Sequence, residues 1–164
     1  MAHVELSLSE TFVPPATSSL EQGSDSFTAA DGRHEVDGLT RWSGTVATAA
    51  EPCLLIDEKT IISAVSPICC ELLGLGTPAE AVGLPLLESS LRLLDFTAAR
   101  GELTEQDVEK IPPLLVLHSR RLARGLLRVQ RGATDETDIT VDAVSTPVLT
   151  GQDVVGALTF FAEV

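Results

Sequence analysis

At 164 residues, 44% of them hydrophobic, the chain is long enough to bury a core of its own and form one globular domain with an extension. Its 24 acidic against 11 basic residues, net −13, exclude non-specific attraction to nucleic acid or an anionic lipid surface. No run approaches the roughly 18 apolar residues that span a bilayer, Met1-Ala2-His3-Val4-Glu5 is no secretory signal, and three cysteines, two of them adjacent, point to a reducing cytoplasm.

Residues 1–38 are rich in Ser, Thr, Pro and acids, with seven acids against one base, Arg33. Such a composition buries little, so a disordered or loosely attached acidic leader is expected, with the domain proper at 39–164. Within the leader, Val4, Leu6 and Leu8 alternate with polar residues like an edge strand that Pro14-Pro15 would end. From Leu39 to Ala50, Leu39, Trp42, Val46 and Ala49 fall at helical spacing.

Cys53 to Gly74 is the most informative stretch. Two apolar runs, Cys53–Ile56 and Thr60–Val65, flank Asp57-Glu58-Lys59 as two antiparallel strands around a tight polar turn would. Ser66 as N-cap, Pro67 at the first helical position and Gly74 just past the end then predict a short helix carrying Ile68, Leu72 and Leu73. About two turns long, it must be held by packing on the sheet.

This stretch resembles the opening of a PAS domain, the sensory and interaction module of signalling proteins. Asp57, Ile62, Leu72, Leu73 and Gly74 match the family's spacing, whereas Thr60 replaces its usual Gly and Ser66 its usual Asn; Ser and Asn both cap helices. In the resemblance, residues 39–50 are the N-terminal flanking helix, which in many such proteins packs on the sheet or makes the dimer contact. Trp42 would cap the core or serve that contact.

Thr77, Pro78 and Glu80 form a capping signature that Gly83 ends, similar to the family's next segment. Leu87–Leu103 is Leu-rich and expected to be partly helical. Thr104 caps a helix, Pro112-Pro113 bends the chain, and a second helix over Leu114 to about Ala123 would place Leu114, Leu115, His118 and Leu122 on one stripe. The resemblance makes this pair the helix that closes the central cavity. Strands are expected at Leu126–Arg131, Asp138–Pro147 and Val154–Ala162, and the last, apolar on both faces, needs a cover on each side.

The expectation is therefore an α+β, PAS-like five-stranded antiparallel sheet, with short helices on one face and a helical or partner cover on the other. Leu72, Leu115, His118, Leu122, Val141 and Leu158 are the cavity-lining candidates, and Trp42, Val154 and Phe160 the subunit-contact candidates. His118 is either a hydrogen-bonded structural residue or, since imidazole is the usual axial ligand of haem iron, a haem ligand as in haem-binding family members. Cys53, Cys69 and Cys70 lack metal-ligand spacing and read as buried thiols, with redox sensing the alternative. The Asn-Cys-Arg-Phe-Leu-Gln motif of the family's flavin photosensors does not occur. Arg120, Arg121, Arg124, Arg128 and Arg131 would clamp an anionic ligand or acidic partner, or else pair with carboxylates such as Asp135, Glu136 and Asp138.

No nucleophile elbow, phosphate loop or zinc-protease motif occurs, Tyr is absent, and His3 and His34 fall in the leader. No kinase, cyclase or helix-turn-helix segment follows the last expected strand. The resemblance implies a stand-alone, non-catalytic signalling module, cytoplasmic and homodimeric. It would bind a small ligand or a downstream signalling protein and pass on a conformational change. A purely structural dimerisation module is the other reading.

Overall fold

The computed structural model describes residues 37–131 and 137–164. Residues 1–36 of the expected leader, with its Val4-Leu6-Leu8 strand, His3 and His34, and the acids Asp135 and Glu136 lie outside the described residues, whereas Asp37 and Gly38 cap and open α1.

The elements are α1 (Gly38–Ala47), β1 (Cys53–Asp57), β2 (Ile62–Val65), α2 (Pro67–Leu73), α3 (Pro78–Ala81), a 3-10 turn at Leu86–Glu88, β3 (Arg92–Leu94), α4 (Glu105–Val108), α5 (Pro112–Ser119), β4 (Ala123–Gln130), β5 (Asp138–Thr150) and β6 (Asp153–Glu163). The six strands form one antiparallel sheet in the order β2-β1-β6-β5-β4-β3.

The local signals act as the sequence predicts. Ser66 Oγ accepts the Cys69 N–H at 3.3 Å and donates to the Glu51 carbonyl at 2.8 Å, so the helix cap also ties α2 to the start of β1. Gly74 ends α2 at φ 70°, a left-handed geometry that costs glycine nothing. Thr77 and Glu80 close a reciprocal capping box at α3, and between β1 and β2 Asp57 Oδ1 accepts the Lys59 and Ile61 N–H groups.

Three expectations are corrected. The sheet has six strands rather than five, because part of the supposedly helical Leu87–Leu103 is β3. Leu93 lies opposite Val129 and is buried with it, so sheet pairing overrides the helical leaning of a Leu-rich run. The helix α5 stops at Ser119 because Arg120 turns left-handed at φ 57°, which moves Leu122 off the helix. And β5 runs past Pro147 to Thr150: beyond Ser145 it has β6 on one side and no β4 on the other, so the missing proline N–H costs no ladder bond.

The sheet separates two apolar clusters. On the inner face α2, α3 and α5 pack on Leu54, Ile56, Leu127, Val129, Val141, Ala143, Ala157 and Phe161. On the outer face α1 and the residues just after it cover Cys53, Leu55, Ala64, Val148 and Leu158 through Leu39, Val46 and Ala49. Alternate residues of β1 enter opposite clusters, as strand geometry requires.

Candidate functional site

The inner face, where a cavity is expected, holds a packed side-chain cluster among the described residues. Leu114 and Val116 of α5 meet Leu127, Val129, Val141 and Phe161 in one buried cluster that also holds Leu72. The inward side of α5 is Pro113, Leu114 and Val116 with half-buried Leu117, a stripe rotated from the expected one. Leu115 and His118 are exposed and line an open surface recess with Gln106, Glu109 and Lys110, while Leu122, 65% exposed, sits in the α5–β4 turn. Leu158 is buried in the other cluster, under α1. Of the six cavity candidates, then, only Leu72 and Val141 come together.

His118 Nδ1 donates to the Leu114 carbonyl at 3.0 Å, an intrahelical bond. Its exposure does not fit the axial ligand of a haem buried between helix and sheet. The three thiols are buried, and burial pushes all of them above the ordinary thiol range, Cys69 most strongly. No cluster of three or more His, Cys, Asp or Glu side chains able to hold a metal occurs among the described residues, and none of their helices is long and apolar enough to cross a membrane.

The exposed apolar surface lies outside. The helix α1 reaches β1, β2 and parts of β5 and β6, leaving the outer side of β4 and the adjoining halves of β5 and β6 uncovered among the described residues. There Arg124, Val144 and Phe160 stand side by side across three strands, and Leu126, Asp142 and Ala162 form the next row. Phe160 is 44% exposed, Leu126 53%, and Trp42 on the covering helix 41%. Trp42 therefore does not serve as a cap of the core.

Val154 is half-buried next to the β5–β6 turn. The irregularity at Val148/Leu149 shifts the register so that Val155, not Val154, joins the cluster under α1. Leu126 was missed by sequence reasoning. Its signal was an apolar residue alternating with Arg124 and Arg128 on a face that would otherwise be wholly charged.

Arg124 forks onto Asp142, with Nε 3.0 Å from both carboxylate oxygens and Nη2 2.6 Å from Oδ2. This bond holds the Asp142 carboxyl below the usual carboxylate range. Arg128 pairs with Asp138, which also takes Arg100 at 2.8 Å, and Arg131 reaches Glu163 at 3.1 Å. Three of the five clustered arginines thus pair with acids of β5 and β6. Arg120 and Arg121 make no ion pair among the described residues.

No protein-family model and no curated protein matches this sequence. Solved structures do. The PAS domain of a Colwellia psychrerythraea protein aligns at 16% identity and TM-score 0.53, over 78% of this chain and 98% of that one. The LOV protein of Rhodobacter sphaeroides aligns at 17% and 0.56, over 77% and 66%. The VqmA dimer of Vibrio cholerae, described with the DNA-binding mechanisms of LuxR-type receptors, aligns at 16% and 0.52, over 70% and 46%. The chain has the α+β PAS fold, and it spans just under two thirds of the LOV protein and less than half of VqmA.

Proposed function

We propose that this protein is a signalling module that works by binding, without catalysis of its own, and that the open outer face of its sheet is where it meets a second copy of itself. The observation that carries this reading is the apolar group Phe160, Val144 and Leu126, together with exposed Trp42 on the helix that covers the rest of that face. A contiguous apolar surface bordered by charge is the signature of a protein contact. The Arg124–Asp142 fork, already satisfied within one chain, costs little to bring into an interface compared with two unpaired charges. That VqmA is described as a dimer agrees with this mode of use.

The signal would pass through β6. Thr159 faces inward, fully buried, and its neighbour Phe160 faces outward. A partner or ligand that favours a different seating of α5 on the inner face displaces β6 and so repositions Phe160, which makes the response a shift between two packings. With side chains packed on the inner face, such a ligand would bind at the rim of the helices rather than in a preformed cavity, and the same packing equally suits a module whose only task is to pair.

Sedimentation equilibrium of the full chain tests the reading. A dimer is expected, becoming a monomer in Trp42→Arg/Phe160→Arg with the circular dichroism spectrum unchanged. A wild-type monomer at about 1 mM, the weak limit of useful association, would overturn it.

A further inference from the structure

The sheet has a second feature that the outer face does not use. The edge strand β3 covers β4 only at Arg128, Val129 and Gln130. Past Leu94 the chain leaves the sheet, the Asp95 N–H turning to the Gly101 carbonyl at 2.8 Å. From Ala123 to Leu127, β4 pairs with β5 on one side and has no strand and no main-chain hydrogen bond on the other among the described residues.

This open edge is recessed. Gly125, Leu126 and Leu127 lie in a cleft of about 320 Å³, closed at one end by Leu94, Asp95 and Phe96 and along one side by Lys110, Ile111 and Pro112. Phe96 is 59% exposed in its wall. Pro112 packs so close to the strand that a Cβ on Gly125 would lie 3.4 Å from its Cγ.

We infer that this cleft takes an extended peptide segment of a partner protein, added as a strand to the edge of β4. Unpaired main-chain groups in a row match another main chain and not a compact molecule. The walls on two sides keep the edge of a second folded sheet away, while a single extended segment fits between them. The segment takes the place that β3 vacates, antiparallel to β4, with its first residues at Phe96 and its last at Ala123. Two of its side chains at alternate positions enter the apolar cleft.

Charge sets its end. The cleft's own charges are satisfied, Lys110 by Asp107 at 3.1 Å, Arg128 by Asp138, and Asp95 by the Thr97 hydroxyl at 2.7 Å. Arg120 and Arg121, just before Ala123, make no ion pair among the described residues, so the segment ends in an acidic residue or a free carboxylate. This site adjoins the outer face at Leu126 but is recognised through the main-chain edge of β4 rather than through Trp42 and Phe160, so it is tested independently of self-association.

The test is an amide NMR titration of the full-length chain with the peptide acetyl-Thr-Val-Thr-Leu-Asp. Shifts are expected at Ala123–Leu127 and at Leu94–Phe96. Methylating the second and third backbone nitrogens, which blocks either set of main-chain donors, or the exposed-residue variant Arg120→Glu/Arg121→Glu, should each weaken binding at least about tenfold. Phe96→Ala, also at an exposed position, should weaken it as well. Three results overturn the inference: no shift at about 1 mM peptide, equal binding of the methylated peptide, or concentration-dependent shifts of Ala123–Leu127 without peptide that persist in Trp42→Arg/Phe160→Arg, which would assign the edge to a second copy. None of these touches the outer-face reading, which is measured by mass.

Discussion

Ser145 Oγ and Thr159 Oγ1 lie 2.7 Å apart on paired positions of β5 and β6, both fully buried on the face that α5 packs against. A hydroxyl pair in an apolar layer is stable only while each partner satisfies the other. Ser145→Ala strands the Thr159 hydroxyl and should cost about 1–3 kcal/mol in urea unfolding. Ser145→Ala/Thr159→Val removes both groups and should cost clearly less than the two single changes summed. Strict additivity would show that the pair contributes nothing.

Thr60 has φ 66°, unusual for a β-branched residue. The turn is held there because the Thr60 N–H donates to the Asp57 carbonyl at 3.0 Å and the Thr60 carbonyl accepts the Leu86 N–H at 2.9 Å. Thr60→Gly keeps both bonds and relieves the strain. After glycine's larger unfolded-state entropy is subtracted, a gain of about 1 kcal/mol in denaturant unfolding is expected. A loss would mean that the threonine side chain itself holds the turn.

Gly156 sits where β6 passes β1 beneath α1. A Cβ there would collide with the Ile56 carbonyl and stand 2.6 Å from Leu39 Cδ2. Gly156→Ala should therefore destabilise the fold by about 2–4 kcal/mol, since backbone on one side leaves only α1 free to move. Stability within about 0.5 kcal/mol of wild type would show that α1 is not pressed onto the sheet.

The Arg124–Asp142 fork has a defined pH window. The folded-state pKa of Asp142 is lowered, first by its hydrogen bond from Arg124, below an unfolded value of about 3.9. Its contribution is thus complete above that value and lost as pH falls through the lowered one. The stability difference between wild type and Asp142→Asn should be flat from about pH 5 to 8 and shrink below about pH 4. It should be small throughout, because the pair is solvent-screened. A difference that grows on acidification would reverse this sign.

The thiols should be silent in the folded state. Cys53, Cys69 and Cys70 are all buried, and desolvation raises each pKa. An aromatic disulfide reagent at pH 8 should label none of them in native protein and all three after unfolding in guanidinium. Rapid labelling of a native thiol would reopen the redox reading.

Much of the fold is written in local chemistry. Ser66, Pro67, Gly74, Thr77 and Glu80 act through neighbours within a few residues, so the chain alone determines where α2 and α3 begin and where α2 ends. The alternating apolar residues of β5 likewise mark it as a strand with one buried face. What tertiary contact decided is what depends on distant partners. Arg92–Leu94 became a strand only because β4 offered an edge. Left-handed Arg120 took Leu122 off the helix, and the rotation of α5 that buries Pro113, Leu114 and Val116 turned His118 outward. And the length of α1 left Phe160 and Leu126 uncovered. Each hangs on which surfaces meet, and periodicity in one segment carries no information about what is missing from the other side of a sheet.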